Sequence, residues 1–186
     1  NDLSSVFDIK IDKDQRFETS CNHTSTHLLH QALRSILGDH VQQKGSMVSD
    51  KYLRFDFSHF DKINENEILK IQSFVNQKID EQLTLEENRD DNYEDCLKNG
   101  VIALFGEKYG EKVRSIKFGL SYELCGGTHV NNTGLIKNFI IKSESSISSG
   151  IRRIEAISGK KAKEYLNDKL DTLNKISSLL NNDKDL

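Results

Sequence analysis

The stretch CNHTSTHLLHQALR, running from Cys21 to Arg34, puts three histidines and a cysteine into one run of residues that favour helix. Imidazole nitrogens and thiolates are the ligands that suit a borderline ion such as Zn2+, so the first question is whether this geometry lets them converge. On a helix turning roughly 100° per residue, His23, His27, His30 and Arg34 fall inside one arc about 60° wide. Leu28, Leu29, Ala32, Leu33 and Ile36 gather on the other side, so one face packs and the other carries chemistry.

A second pair of ligands lies far along the chain in ELCGGTHV. Cys125 and His129 are separated by Gly126 and Gly127, which allow the tight turn that folds a thiolate and an imidazole toward one ion. Together with His23 and His27 they make a three-nitrogen, one-sulfur set of the kind that suits tetrahedral Zn2+. His30 fits the helix geometry as well as either histidine, and Cys21 competes for the thiolate place. His40 and His59 lie off this face and read as structural or solvated. The pair is not that of an H-E-x-x-H protease, because Thr24 stands where that mechanism needs its glutamate base.

The elements that must position these residues are legible from periodicity. Residues 5–17, SVFDIKIDKDQRF, alternate like a strand, and the histidine helix follows, ending near Gly38. HVQQKGSMVSDKYLRFDFSHF reads as a hairpin turning near Ser49 and Asp50, with Leu53, Phe55 and Phe57 on one face. Asn64 caps a helix whose Ile68, Ile71, Val75 and Ile79 form an inward stripe; LTLEEN suggests a short strand, and a short helix runs from Asn92 to near Gly100. VRSIKFG, YELCGGTHV, LIKNFIIKSES and IRRIEAIS supply further strands, and a polar helix carrying Leu166, Leu170, Leu173 and Leu180 closes the chain. The expected class is α+β: mainly antiparallel sheet packed with helices around a zinc-bearing cleft, plus a C-terminal helix. The natural division is a domain over 1–158 and a helical extension over 159–186.

Composition agrees with a globular chain. Of 186 residues, 35% are hydrophobic and 30% charged, enough to bury a core, and no apolar run is long enough to span a membrane. Without a secretory leader, the cytoplasm is the default compartment. Three cysteines cannot all pair, so at least one is free or metal-bound. The net charge of −3 argues against wholesale coating of nucleic acid, yet IRRIEAISGKKAK is locally basic. Arg152, Arg153, Lys160 and Lys161 are the candidates for holding phosphates; a solvated charged face is the other reading.

The blocks NHTSTHLLHQALR, HVQQKGSMVSDKYLRFDFSH, ALFGEKYGEKVR, SYELCGGTHV, TGLI and SGIRRIEAISG occur in order and resemble the successive signatures of the editing domain of alanyl-tRNA synthetase, over roughly residues 16–160. The editing domain of threonyl-tRNA synthetase shares the histidine and cysteine pattern, but CGGTHV with IRRIEA is closer to the alanyl branch. The resemblance implies an aminoacyl-tRNA deacylase that clears serine or glycine wrongly attached to tRNA(Ala), with one Zn2+ held by His23, His27, Cys125 and His129. Thr26 and Gln43 match family positions that face the substrate, and Ser25 stands where the family usually has alanine. The closing helix resembles the start of the linker to a C-terminal assembly domain, through which oligomerisation is expected. ATP would serve only an aminoacylation domain, for which 186 residues leave no room. Free-standing editing proteins share the same blocks, so a trans-acting deacylase is an alternative. A zinc-stabilised RNA-binding module without catalysis, and an assembly element built on the leucine stripe, are two others.

Overall fold

A computed structural model of the chain describes residues 8–104 and 108–179. The first helix, α1 (Lys13–Leu37), begins where Asp12 accepts hydrogen bonds from the backbone N–H groups of Asp14 and Gln15, and it ends at Gly38 in the left-handed region. This cap corrects the expected strand over 5–17. Residues 13–17 are the first turns of the helix, and Ile9 and Ile11, whose alternation suggested a strand, are exposed with no partner strand among the described residues. Residues 5–7 of that stretch lie outside the described ones.

The hairpin forms as expected from β1 (Gln43–Val48) and β2 (Leu53–Ser58), and Leu53, Phe55 and Phe57 are completely buried. Helix α2 (Glu65–Asp80) opens on a full capping box between Asn64 and Glu67 and buries Ile71, Val75 and Ile79. Then come β3 (Glu86–Asn92), the short α3 (Tyr93–Lys98), β4 (Lys112–Phe118) and β5 (Ser121–Leu124). After a single 3₁₀ turn at Thr133–Leu135, β6 (Phe139–Ser148) and β7 (Ile151–Ser158) form a long hairpin, and α4 (Gly159–Leu179) follows without a loop.

The class is α+β, with the strands divided between two antiparallel sheets, β1-β2-β7-β6 and β3-β4-β5. Helix α1 packs on β2 and β7 of the first and on β5 of the second, with α2 alongside. Its middle is therefore enclosed on almost every side, polar residues included. Asn22 shows how such a residue is accommodated. Its amide donates to the carbonyl of Ser49, and its oxygen accepts from the backbone N–H and the hydroxyl of Ser158, tying α1 to the hairpin turn and to β7. Leu28, Leu29 and Leu33 of α1 meet Phe55, Phe57, Ile71, Ile116, Phe139 and Ile154 in one core. Each such side chain contributes roughly 1.5–3 kcal/mol by leaving water.

Helix α4 is anchored only at its start, where Gly159 and Ala162 are buried. Leu166, Leu170, Leu173, Ile176 and Leu179 are all substantially exposed. Leu180 of the expected stripe lies outside the described residues, as do residues 105–107 of ALFGEKYG.

Candidate metal centre

Two adjacent turns of α1 bring His23 and His27 to the end of β5, where the chain leaves the sheet at Cys125 and turns back to His129. The four ligand atoms lie within 4.8 Å of one another. Cys125 Sγ is 3.5 Å from His23 Nε2 and 3.4 Å from His129 Nε2. A tetrahedron with Zn–N near 2.0–2.1 Å and Zn–S near 2.3 Å has N···S edges of about 3.5 Å, so these separations fit a zinc-sized ion.

The outer contacts of the histidines explain why their Nε2 atoms face inward. His23 Nδ1 donates to the carbonyl of Thr128 at 3.1 Å, and His129 Nδ1 lies 3.1 Å from the hydroxyl of Thr24. His27 Nδ1 faces the Glu123 carboxylate at 3.8 Å, while His30 Nδ1 reaches that carboxylate at 3.1 Å. Fixing one ring nitrogen leaves the other to bind metal, as in protein zinc sites generally. His30 is thereby spoken for by Glu123, and Cys21 sits in the core with its thiol pushed up to about 12 by burial and by Glu18. Neither belongs to the cluster.

The turn is as specific as the ligands. A Cβ on Gly127 would come within 2.0 Å of His23 Cε1, so only glycine lets the backbone pass this close to the imidazole. The Gly127 N–H donates to Cys125 Sγ, and Arg114 Nη1 donates to the carbonyls of Cys125 and Gly127, clamping the turn onto β4.

Electrostatics favour neutral imidazoles. Burial, with His27 nearby, lowers His23 to about 4; burial also lowers His27, and burial with His27 and His23 lowers His129 strongly. Glu123 is deeply buried, which alone would raise its pKa, but His27 and His30 beside it hold it below the ordinary carboxylate value. Neutral imidazoles with inward lone pairs are the state a cation binds.

The other predicted residues are placed as follows. Thr26 is buried on α1, and its hydroxyl donates to the backbone carbonyl of Asn22; Gln43, half-buried on β1, donates to the Ser46 hydroxyl. Arg152 and Arg153 point to opposite faces of β7. Arg152 forms a bidentate pair with Glu144, one contact at 2.8 Å, and Arg153 does the same with Asp56 at 2.7 and 2.8 Å. Lys161 pairs with Glu164, and Lys160 and Lys161 line a cleft that also holds Asp12, Asp14, Glu18 and Asp50. The four cations expected to form one basic patch are thus dispersed, each beside carboxylates. His40 and His59 stack on each other away from the centre.

Sequence reasoning missed Thr24, Glu123 and Arg114. For Glu123 a signal existed, since it stands two residues before Cys125 and so on the same face of the strand. Thr24 and Arg114 carry no local signal, because their roles depend on pairings across more than one hundred and more than ten residues respectively.

An α+β domain with a preformed three-histidine, one-cysteine centre is the class defined by fold and site. Residues 113–155 match the family described as "Threonyl and Alanyl tRNA synthetase second additional domain". Across almost the whole chain, the sequence is 56% identical to the alanine–tRNA ligase of Christiangramia forsetii, over 94% of this chain and 20% of that protein. It is 51% identical to that of Cytophaga hutchinsonii over 100% of this chain and 21% of the protein, and 49% identical to that of Porphyromonas gingivalis over 98% and 21%. The chain belongs to the alanyl-tRNA synthetase family and corresponds to its editing domain. It spans about a fifth of the length of the curated relatives it matches. No helix among the described residues is long and apolar enough to cross a membrane.

Proposed function

We propose that this domain hydrolyses the ester linking serine or glycine to the 3′ end of tRNA(Ala), with one Zn2+ held by His23, His27, Cys125 and His129. The observation that carries the reading is the convergence of four ligand atoms, with the outer nitrogens of His23 and His129 already engaged by Thr128 and Thr24. An aminoacyl ester is activated toward hydrolysis, so the site has to seat it, admit water and stabilise a developing oxyanion. When bound, the ion supplies the positive charge beside the ester carbonyl. His23, His27 and His129 stay neutral; Thr128 and Thr24 orient His23 and His129, and His27 Nδ1 faces the Glu123 carboxylate at 3.8 Å without a hydrogen bond among the described residues. Thr26 and Gln43 are the proposed selectivity residues. A polar group satisfied by the serine hydroxyl and left unpaired beside alanine's methyl discriminates more strongly than size does. The Thr26 hydroxyl donates to Asn22, which leaves its oxygen free to accept from such a hydroxyl.

The remaining parts of the reading concern context. We take 1–158 as the deacylase domain and 159–186 as the start of a linker, in a cytoplasmic enzyme whose ATP-dependent charging resides elsewhere in the longer protein. The exposed apolar stripe of α4 supports oligomerisation through the C-terminal region. A second reading has its own observation: four protein ligands complete a tetrahedron, as in structural zinc sites, which favours a zinc-stabilised RNA-binding module.

Incubation of the protein with serine-charged tRNA(Ala), with and without a chelator, separates the two. Metal-dependent release of serine supports the deacylase. A metal-loaded, folded protein that releases none supports the binding module. Replacing Thr26 or Gln43 by apolar residues should narrow the serine-to-alanine ratio with metal retained.

A further inference from the structure

The guanidinium groups that share a cleft with His129 are not those of the basic stretch at 152–161. A cleft of about 340 Å3 opens directly beside His129 and the Gly126–Gly127 turn, and Arg16, Arg89 and Arg114 line it from α1, β3 and β4. Glu87 lies among them and accepts from both Arg89 Nε and Arg114 Nε. The cleft therefore holds three guanidinium groups against one carboxylate. Arg16 makes no ion pair with any described residue. By contrast, Arg152, Arg153 and Lys161 are each paired, and Lys160 shares its cleft with four carboxylates.

The placement along α1 adds direction. Arg16, Ser20, His23 and His27 occupy one row of the helix at spacings of four, three and four, and Arg16 and Ser20 both line the cleft. Seven residues at 1.5 Å each put Arg16 about 10 Å from His23 along the axis. An RNA end whose terminal ribose sits at the metal centre would thus carry its preceding phosphates along this row.

We propose that the Arg16–Arg89–Arg114 cleft binds phosphodiester groups of a single-stranded RNA 3′ end approaching the metal centre. The proposal rests on the deacylase reading for the identity of the strand, but binding is measured without catalysis. Arg16 and Arg89 are exposed and can be neutralised without disturbing the fold, whereas Arg114 holds the Cys125–Gly127 turn and is left intact.

The test is fluorescence anisotropy of the metal-loaded protein with a labelled, uncharged RNA hairpin bearing a short unpaired 3′ overhang, across a salt series. Each phosphate contact to a single strand steepens the log-affinity against log-salt slope by about 0.7, so Arg16→Gln with Arg89→Gln should make the slope shallower by roughly 1.4. Blunting the overhang should remove the difference between the parent and the variant. Lys160→Gln with Lys161→Gln should leave the slope as it is. An unchanged slope in the double arginine variant, with metal content and melting temperature intact, would overturn the proposal. Failure to release serine would instead count against the deacylase reading alone, since uncharged RNA reports only binding.

Discussion

The Thr24 hydroxyl, on the helix that supplies two cluster histidines, lies 3.1 Å from Nδ1 of the third, His129, which comes from 105 residues away. The same oxygen accepts the backbone N–H of Val130 at 3.2 Å. One side chain thus orients a ligand and fastens the turn that carries it. Thr24→Val removes both contacts while keeping the shape. Outer-shell losses typically weaken metal binding about 10–100-fold, and an unsatisfied buried N–H costs about 1–3 kcal/mol. Competition against a chromogenic chelator should show the weaker binding; affinity equal to the parent's would mean that Thr24 does not hold His129.

Gly127→Ala should be more severe. Its Cβ would overlap the His23 ring at 2.0 Å, so either the turn or the imidazole must move. We expect loss of stoichiometric metal with the fold largely retained, because the clash lies at the rim of the core. Full metal content in this variant would show that the turn is not as tightly constrained as its geometry implies.

Much of this arrangement was visible in the amino-acid pattern. The i, i+4 histidines, the glycine-separated Cys125 and His129, the hairpin about Ser49 and Asp50 and the Asn64 cap are all local signals, and each forms as expected. The strand expected over 5–17 does not, because alternation alone cannot reveal whether a partner strand exists, and the Asp12 cap decided for helix. The basic stretch around Arg152 and Arg153 looked unified because neighbours in sequence were counted together. On a strand they point to opposite faces, and Glu144 and Asp56, which neutralise them, are distant in sequence or on another strand.

Ser25 offers a test in the stabilising direction. Its hydroxyl is fully buried and has no hydrogen-bond partner among the described residues. Removing a buried unsatisfied group recovers its desolvation cost of about 1–3 kcal/mol, less a small loss in packing. Ser25→Ala should therefore raise the urea midpoint, with metal affinity unchanged. A lower midpoint would indicate that the hydroxyl has a partner in solution.

Acid should weaken the metal-free protein through the centre. His23 is lowered from 6.5 to about 4 in the fold, so between those values the unfolded chain holds a proton that the folded chain does not. Stability then falls as pH falls through that window, and His27 and His129, lowered in the same direction, steepen the loss. Bound metal adds to the dependence, because protons compete for the same nitrogens. Urea titrations of the metal-free protein that give one midpoint from neutral pH to about pH 5 would contradict this.

The central claim is that the His23, His27, Cys125 and His129 cluster holds one metal ion and that hydrolysis depends on it. The most direct measurement pairs metal content with the rate of serine release from serine-charged tRNA(Ala), in the parent protein, in Cys125→Ala and in His59→Ala. The account predicts one zinc per chain and rapid release in the parent, loss of both in Cys125→Ala, and neither lost in His59→Ala. Full serine release by a Cys125→Ala protein shown to hold no metal would contradict it.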